Sequence, residues 1–262
     1  MKERTASLAA MRKRARELTS ESALRRLASE LESDSRAGAR ALARRCQRRA
    51  AALAGERSRM DGLFRLRREL VAAGAQRVAG VDEVGVGPLA GPVVAAAVVL
   101  GEAPELPGLD DSKRLSREDR ERLAALIRAQ ALDLAVAEVG PDEIDRINVV
   151  QASLLAMRRA VVALAPAPQH VLVDARTIPD LTMPQTAIVG GDGKDASIAA
   201  ASIVAKVHRD DIMRGLDARF PDYGFARHKG YGTSEHLAAL RRVGPCEVHR
   251  RSYAPVSQLS LL

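Results

Sequence analysis

A mixed α/β sheet flanked by helices, with a C-terminal helical part and an N-terminal basic helical extension, is the fold this sequence predicts. Three observations predict it. Aliphatic runs of strand length, at Val78 to Glu83, Val93 to Leu100, Leu132 to Val139, His170 to Asp174 and Thr186 to Val189, are set off by Gly, Pro and polar residues, as strands are. Their order reads as three strands in a meander with one helical insertion, followed by alternating strand and helix. The charge is also divided: residues 1–77 hold 20 Lys and Arg against 9 Asp and Glu, while the rest hold 21 against 24, for a total of +8.

The first 59 residues form the expected extension, and 60–262 the expected domain. The extension, rich in Ala, Arg, Leu and Ser, reads as two or three helices broken near Ser33 to Gly38 and near Gly55. Arg44-Arg45 and Arg48-Arg49 recur at one-turn spacing. Such an arm points either to phosphate contact or to a solvated appendage with biased composition. From Met60 to Ala75 a short amphipathic helix leads into the first strand. After Leu100 a loop, GEAPELPGLDDSKRL, precedes a helix announced by Ser116 as N-cap, with Glu118 and Asp119 in its first turn. Pro141 starts a polar turn that enters a helix over Asn148 to Leu164, and a long Ala-rich helix runs from Ser197 to about Arg214.

Aromatic residues are only 2% of the 262, so the core is expected to be aliphatic. No apolar run approaches a membrane span, and the N-terminus lacks the apolar core of a secretory signal. Cys46 and Cys246 form no CxxC pair, which favours a reduced compartment. A soluble cytoplasmic protein, and a monomer, is expected; no internal repeat is visible.

Two acids, Asp82 and Glu83, stand side by side near the end of the first strand, before the Gly85-Val86-Gly87-Pro88 turn. Neighbouring side chains on a regular strand point to opposite faces, so one site takes both only if the strand ends, bulges or twists there. Either they are ligands for a hard cation such as Mg²⁺ or Mn²⁺, or Glu83 is solvated and Asp82 caps the turn. Asp174 ends another strand, and Asp192 in GGDGKD precedes a helix. Ligands gather at such edges of open α/β sheets. Four carboxylates together would repel unless a cation neutralised them, and two-metal phosphodiester cleavage is the chemistry that uses such a cluster.

AGVDEVGVGPLAGPVVAAAVVL, DDSKRLS, LVDAR, GDGKDASIAAASIVAKVHRD, YGFARHKGYGTSEHLAAL and GPCEVHRRSYAPV, in order from about Met60 to Val256, resemble the successive motifs of the bacterial ribonuclease HII family. The resemblance implies a ribonuclease H-like fold and a metal-dependent endoribonuclease that cleaves the RNA strand of RNA/DNA hybrids and nicks 5′ of ribonucleotides embedded in duplex DNA. It implies Asp82, Glu83 and Asp174 as metal ligands, Asp192 as the fourth catalytic acid, and Mg²⁺ or Mn²⁺ as cofactor. Tyr231, in KGYGT, resembles the family tyrosine that packs on the sugar after the ribonucleotide; an ordinary half-buried turn tyrosine is the other reading.

RNA is told from DNA by its 2′-hydroxyl, and glycines let backbone groups approach a ribose closely. Gly85, Val86 and Gly87 are therefore candidate substrate contacts. Lys113, Lys194 and Lys229 are candidate phosphate contacts within the motifs; Lys206, on an apolar helix, reads equally as structural. Two departures stand out. The family usually has Gly-Arg-Gly where this chain has Gly85-Val86-Gly87, which predicts weaker binding or slower cleavage than in a Gly-Arg-Gly homologue, and Gly190 and Gly193 stand where larger residues are usual. A non-catalytic nucleic-acid binder with a decayed site at Val86, and another two-metal reaction such as DNA resolution, are the competing readings. His228, His236 and His249 gather with Cys246 toward the C-terminus, but at spacings that match no zinc pattern.

Overall fold

The computed structural model describes residues 7–102 and 104–258; the outer ends of the two expected domains, 1–6 and 259–262, lie outside them. The chain divides into two compact units, Met1–Gly62 and Leu63–Leu262.

In the first unit, Ser7 and Ser20 cap helices α1 (Leu8–Glu17) and α2 (Glu21–Glu32), their hydroxyls accepting the N–H groups of Ala10 and Ala23. Leu24, Leu27 and Leu31 fall on one face of α2 and are buried with Leu42 and Cys46 of the third helix, α3 (Ala37–Leu63). The expected break at Gly55 is absent, because α3 runs through it. A glycine costs a helix interior only about 1 kcal/mol, and its alanine-rich neighbours sustain the helix. The expected helix from Met60 to Ala75 is likewise divided, at Phe64, into the end of α3 and α4 (Arg65–Ala72).

The second unit is built on a sheet that, among the described residues, has five strands in the order β3-β2-β1-β4-β5. β1 (Val78–Val84), β2 (Val93–Leu100) and β3 (Ala131–Val139) are the antiparallel meander, and β4 (His170–Asp174) and β5 (Gln185–Ile188) continue from β1 in parallel. β2 is buried along its whole length, as a strand covered on both faces must be. α5 (Arg117–Gln130) begins at Ser116, whose hydroxyl accepts the Asp119 N–H at 3.0 Å and donates to the Asp119 carboxylate at 2.9 Å. The polar turn expected at Pro141 is instead a helix, α6 (Pro141–Ile147), because proline suits a first helical position. Asn148, at φ +66°, then breaks the chain and caps α7 (Val149–Val162).

Odd-numbered residues of β1 and β2, among them Ala79, Val81, Ala95 and Ala97, pack against α7. Even-numbered ones face α8 (Ala196–Arg219), which is longer than expected. At Gly80 an added Cβ would lie 2.1 Å from the Ser197 backbone, so only glycine lets α8 cross the sheet this closely. Three short helices, α9 (Phe225–His228), α10 (Ser234–Val243) and α11 (Ala254–Ser257), complete the C-terminal part around Leu89, Met213, Tyr223 and Phe225.

Candidate active site

β1 does not bulge at its acids: Asp82 and Glu83 stay in register with Ala96 and Ala95 of β2. Their side chains accordingly diverge, Asp82 toward the Ser202 hydroxyl on α8 and Glu83 toward Ser153 on α7. They meet a common neighbour because the β1–β4 ladder ends one residue earlier, at Val81 and Val173, which leaves Asp174 beside both. Behind Asp174 the chain turns sharply through Ala175 at φ +56°. Of the ways by which one site is expected to take both acids, a bulge is absent, and β1 ends at Val84, one residue beyond Glu83.

Each of the three carboxyls is pushed up from the ordinary carboxylate range. For Asp82 burial dominates, with the Glu83 and Asp174 charges adding, against the Ser202 hydroxyl and the Glu83 N–H at 2.7 Å. For Glu83 burial again leads, with Asp174 adding and Ser153 and Arg176 opposing. Burial also leads for Asp174, raised further by Asp192 and Asp111 and eased by the Gly191 N–H at 2.7 Å and by Lys113. Asp192 is buried in a 3-10 turn over Gly191–Gly193, and Lys113 Nζ donates to its Oδ2 at 2.9 Å. Lys113 comes from the 110–113 loop, which Ser112 ties to Ser202 through a 2.9 Å hydroxyl contact.

All-oxygen donors that repel one another at neutral pH are the donor chemistry of a hard divalent cation. Among the described residues no three His, Cys, Asp or Glu side chains are grouped closely enough to hold a metal ion. The acids are a coupled group at adjacent strand ends, and they fit such an ion by donor type and charge.

The remaining candidates divide. Val86 is 36% exposed and Tyr231 42%, and the Tyr231 ring approaches Gly87, where an added Cβ would lie 3.6 Å from it. Lys194 is exposed and donates to its own loop at Val189 O, 2.6 Å away. Lys229 donates to Ala226 O at 2.6 Å, and Lys206 pairs with Asp210 at 2.7 Å. Of these lysines and Lys113, only Lys113 hydrogen-bonds one of the candidate acids.

Sequence reasoning missed Arg209 and Arg250, both fully buried. Arg250 donates to the carbonyls of Gly85 (2.6 Å), Val86 (3.0 Å) and Gly91 (2.8 Å). Arg209 donates to those of Pro92 (2.9 Å), Ala90 (3.1 Å) and Lys229 (3.1 Å). Gly85, at φ +92°, is required here, since a Cβ would meet Arg209 Nε at 2.3 Å. Carbonyl and N–H oppose each other across a trans peptide. With the Gly85 and Val86 carbonyls turned inward, the N–H groups of Val86 and Gly87 therefore face away from the guanidinium. The only sequence signal for this was a glycine- and proline-rich turn whose carbonyls needed donors.

A mixed five-stranded sheet flanked by helices, with carboxylates near adjacent strand ends, is the architecture of the ribonuclease H-like class. The model of the Ribonuclease HII family matches residues 79–256. Ribonuclease HII of Geobacillus thermodenitrificans (strain NG80-2) is 56% identical over 202 residues, 77% of this chain and 78% of that protein. The crystal structure of ribonuclease H2 from Pyrococcus horikoshii OT3 superposes with a TM-score of 0.60 at 27% identity, covering 71% of this chain and 97% of that one. Bst-RNase HIII in complex with Mn²⁺ shares the fold at TM-score 0.58 and 20% identity, over 71% of this chain and 69% of that one. The chain belongs to the ribonuclease HII family and is a divalent-metal-dependent endoribonuclease acting on RNA/DNA substrates. The reading as a non-catalytic binder is not favoured. Among the described residues no helix is long and apolar enough to cross a membrane.

Proposed function

We propose that this protein cleaves the RNA strand of RNA/DNA hybrids and nicks duplex DNA on the 5′ side of an embedded ribonucleotide, with Asp82, Glu83 and Asp174 holding Mg²⁺ or Mn²⁺ and Asp192 as fourth acid. The observation that supports it is the position of Asp82, Glu83 and Asp174 at the end of the β1–β4 ladder, each raised by burial and by the charge of neighbouring carboxylates. A divalent cation there would supply Lewis-acid neutralisation of charge developing on the phosphodiester. The chain's own groups do the positioning. Arg209 and Arg250 hold the 85–92 turn so that the Val86 and Gly87 N–H groups face a ribose. Tyr231, over Gly87, packs on the following sugar. Lys113 balances Asp192 and lies exposed, within reach of a phosphate.

A labelled duplex with one ribonucleotide, beside an all-DNA control, tests this. A single nick 5′ of the ribonucleotide in Mg²⁺ or Mn²⁺, absent from the control, is expected; uncut substrate in both metals would refute it. Because a charge-assisted phosphate contact is worth roughly 1.5–3 kcal/mol, Val86→Arg should raise kcat/KM about tenfold or more, and an unchanged value would show that position 86 makes no such contact.

The 1–59 extension adds phosphate affinity in this reading. Its support is a cavity of about 380 Å³ in the N-terminal unit, lined by Arg12 and Arg16 of α1 and Arg45 and Arg49 of α3. Replacing Arg12, Arg16 and Arg45 by Gln should flatten the salt dependence of duplex binding by about one unit of slope per lost phosphate contact, and an unchanged slope would make the extension an appendage.

A further inference from the structure

Behind Tyr231 the C-terminal histidines form a hydrogen-bonded chain whose partners fix every tautomer. The Cys246 backbone N–H donates to His249 Nδ1 at 3.0 Å, so that nitrogen carries no hydrogen and Nε2 does. His249 Nε2 lies 3.0 Å from His236 Nε2, which must therefore accept. His236 then carries its hydrogen on Nδ1, 3.0 Å from the Tyr231 carbonyl, which can only accept. His228 stacks on His236 with centroids 4.5 Å apart, donates through Nε2 to Tyr223 O at 2.7 Å and accepts the Gly230 N–H at 3.2 Å. His236 is 0% and His249 2% exposed, between the rings of Tyr223 and Phe225. Every ring nitrogen of His236 and His249 is thus paired within the protein.

The chain ends on the Tyr231 backbone rather than in the core. Tyr231 N–H donates to His228 O at 2.9 Å, and the same segments are stitched to the turn beside the acids. Leu89 N–H donates to Gly230 O, Arg250 N–H to Leu89 O and Gly91 N–H to Val248 O, each at 2.8 Å. The sequence Cys246, His249, His236, Tyr231 thus links the last segment of the domain to the residue whose ring lies over Gly87.

We propose that His249 and His236 are positioning residues that, through this fixed order of tautomers, hold Tyr231 in place over Gly87 to read the sugar; the proposal rests on Tyr231 being a substrate contact. A leucine at 249 leaves His236 Nε2 without its donor and frees His236 to flip or change tautomer. A glutamine at 249 puts an amide N–H near the lost Nε2–H and restores the order.

Cleavage of the single-ribonucleotide duplex is measured with the full chain carrying His249→Leu, His249→Gln, Tyr231→Ala and the His249→Leu/Tyr231→Ala double change. Losing a stacked sugar contact should cost Tyr231→Ala about tenfold in kcat/KM. His249→Leu should cost about fivefold on its own, less than about twofold on top of Tyr231→Ala, and His249→Gln should recover most of the loss. An undiminished His249→Leu loss in the Tyr231→Ala background would overturn the relay alone. No effect of Tyr231→Ala would instead overturn the tyrosine reading beneath it. Imidazole ¹⁵N shifts of the unaltered protein decide even if His249→Leu does not fold: an Nδ1–H tautomer at His236 and Nε2–H at His249 are expected, and the reverse assignment refutes the proposal.

Discussion

Two buried charge clusters of opposite sign flank the turn after β1, and the chain treats them differently. Below the turn lie Arg209 and Arg250, and among the described residues no carboxylate is hydrogen-bonded to either guanidinium; six different carbonyls, five of them in the 85–92 turn, accept from them. Burial lowers both from the ordinary arginine range, to about 10 for Arg209, and the charge of Arg250 adds to the effect on Arg209. They remain cations at neutral pH, solvated by backbone. At the strand ends burial pushes Asp82, Glu83 and Asp174 up, likewise toward the neutral form, neighbouring carboxylates add to the effect, and few donors offset it. The cationic cluster finds its acceptors within the chain, whereas the anionic one has few donors there, as the proposed metal site would require. Carboxyls raised together by burial and by neighbouring carboxylates are more often found at a site than in a scaffold.

The largest effect should come from removing an acid. Asp82→Asn should lower kcat/KM by at least about a hundredfold, since a metal ligand supports several kcal/mol of transition-state stabilisation, while raising the unfolding midpoint in chelator at neutral pH, because it removes a buried charge that opposes folding. A fall in both quantities would show that Asp82 is a scaffold group and erase the contrast. Metal affinity should also drop as pH falls, because cation and protons compete for the same raised carboxyls, a dependence that calorimetric titration at two pH values would read.

The scaffold half of the contrast is tested by Arg250→Met, which leaves the carbonyls of Gly85, Val86 and Gly91 without their donor. Stability should fall by about 3 kcal/mol in denaturant unfolding, with cleavage falling through the misplaced turn. Unchanged stability would mean that the turn holds itself.

The same asymmetry explains what could be read from sequence. Asp82 and Glu83 interrupt an otherwise apolar strand, and Asp174 ends another, so they were conspicuous; the five strands and the long helix α8 followed from the same aliphatic runs. Arg209 and Arg250 sit in VHRD and VHRR, where an arginine-rich chain offers no local contrast, and nothing in periodicity marks a guanidinium that bonds residues more than a hundred positions away. The sites of Ser153 and Ser202, one on each helix flanking the sheet, also depend on packing that no local pattern encodes. Gly55 misled for the opposite reason: a breaker by rule, it is overridden by the alanine-rich helix around it.

Asp195 sharpens the comparison because it is a buried anion that no ligand is expected to reach. It caps α8, Oδ1 accepting the N–H groups of Ser197 at 2.8 Å and Ile198 at 3.2 Å, while Oδ2 has no protein partner. Burial raises it from 3.8 to about 6, against those two N–H groups and the charge of Arg67. Between these values the folded chain binds a proton that the unfolded chain has released, so stability contributed by this group is present below about pH 4 and is lost as pH rises through about 6. A shift of that size corresponds to about 3 kcal/mol as an upper figure. Asp195→Asn keeps the capping oxygen and removes the titration. Its stability relative to the unaltered protein, from denaturant unfolding, should therefore be greater at pH 7.5 than at pH 4, with the site acids contributing equally to both proteins and cancelling. An equal difference at both pH values would mean that Oδ2 is solvated well enough to stay ionised, and that only the acids at the strand ends are held out of balance.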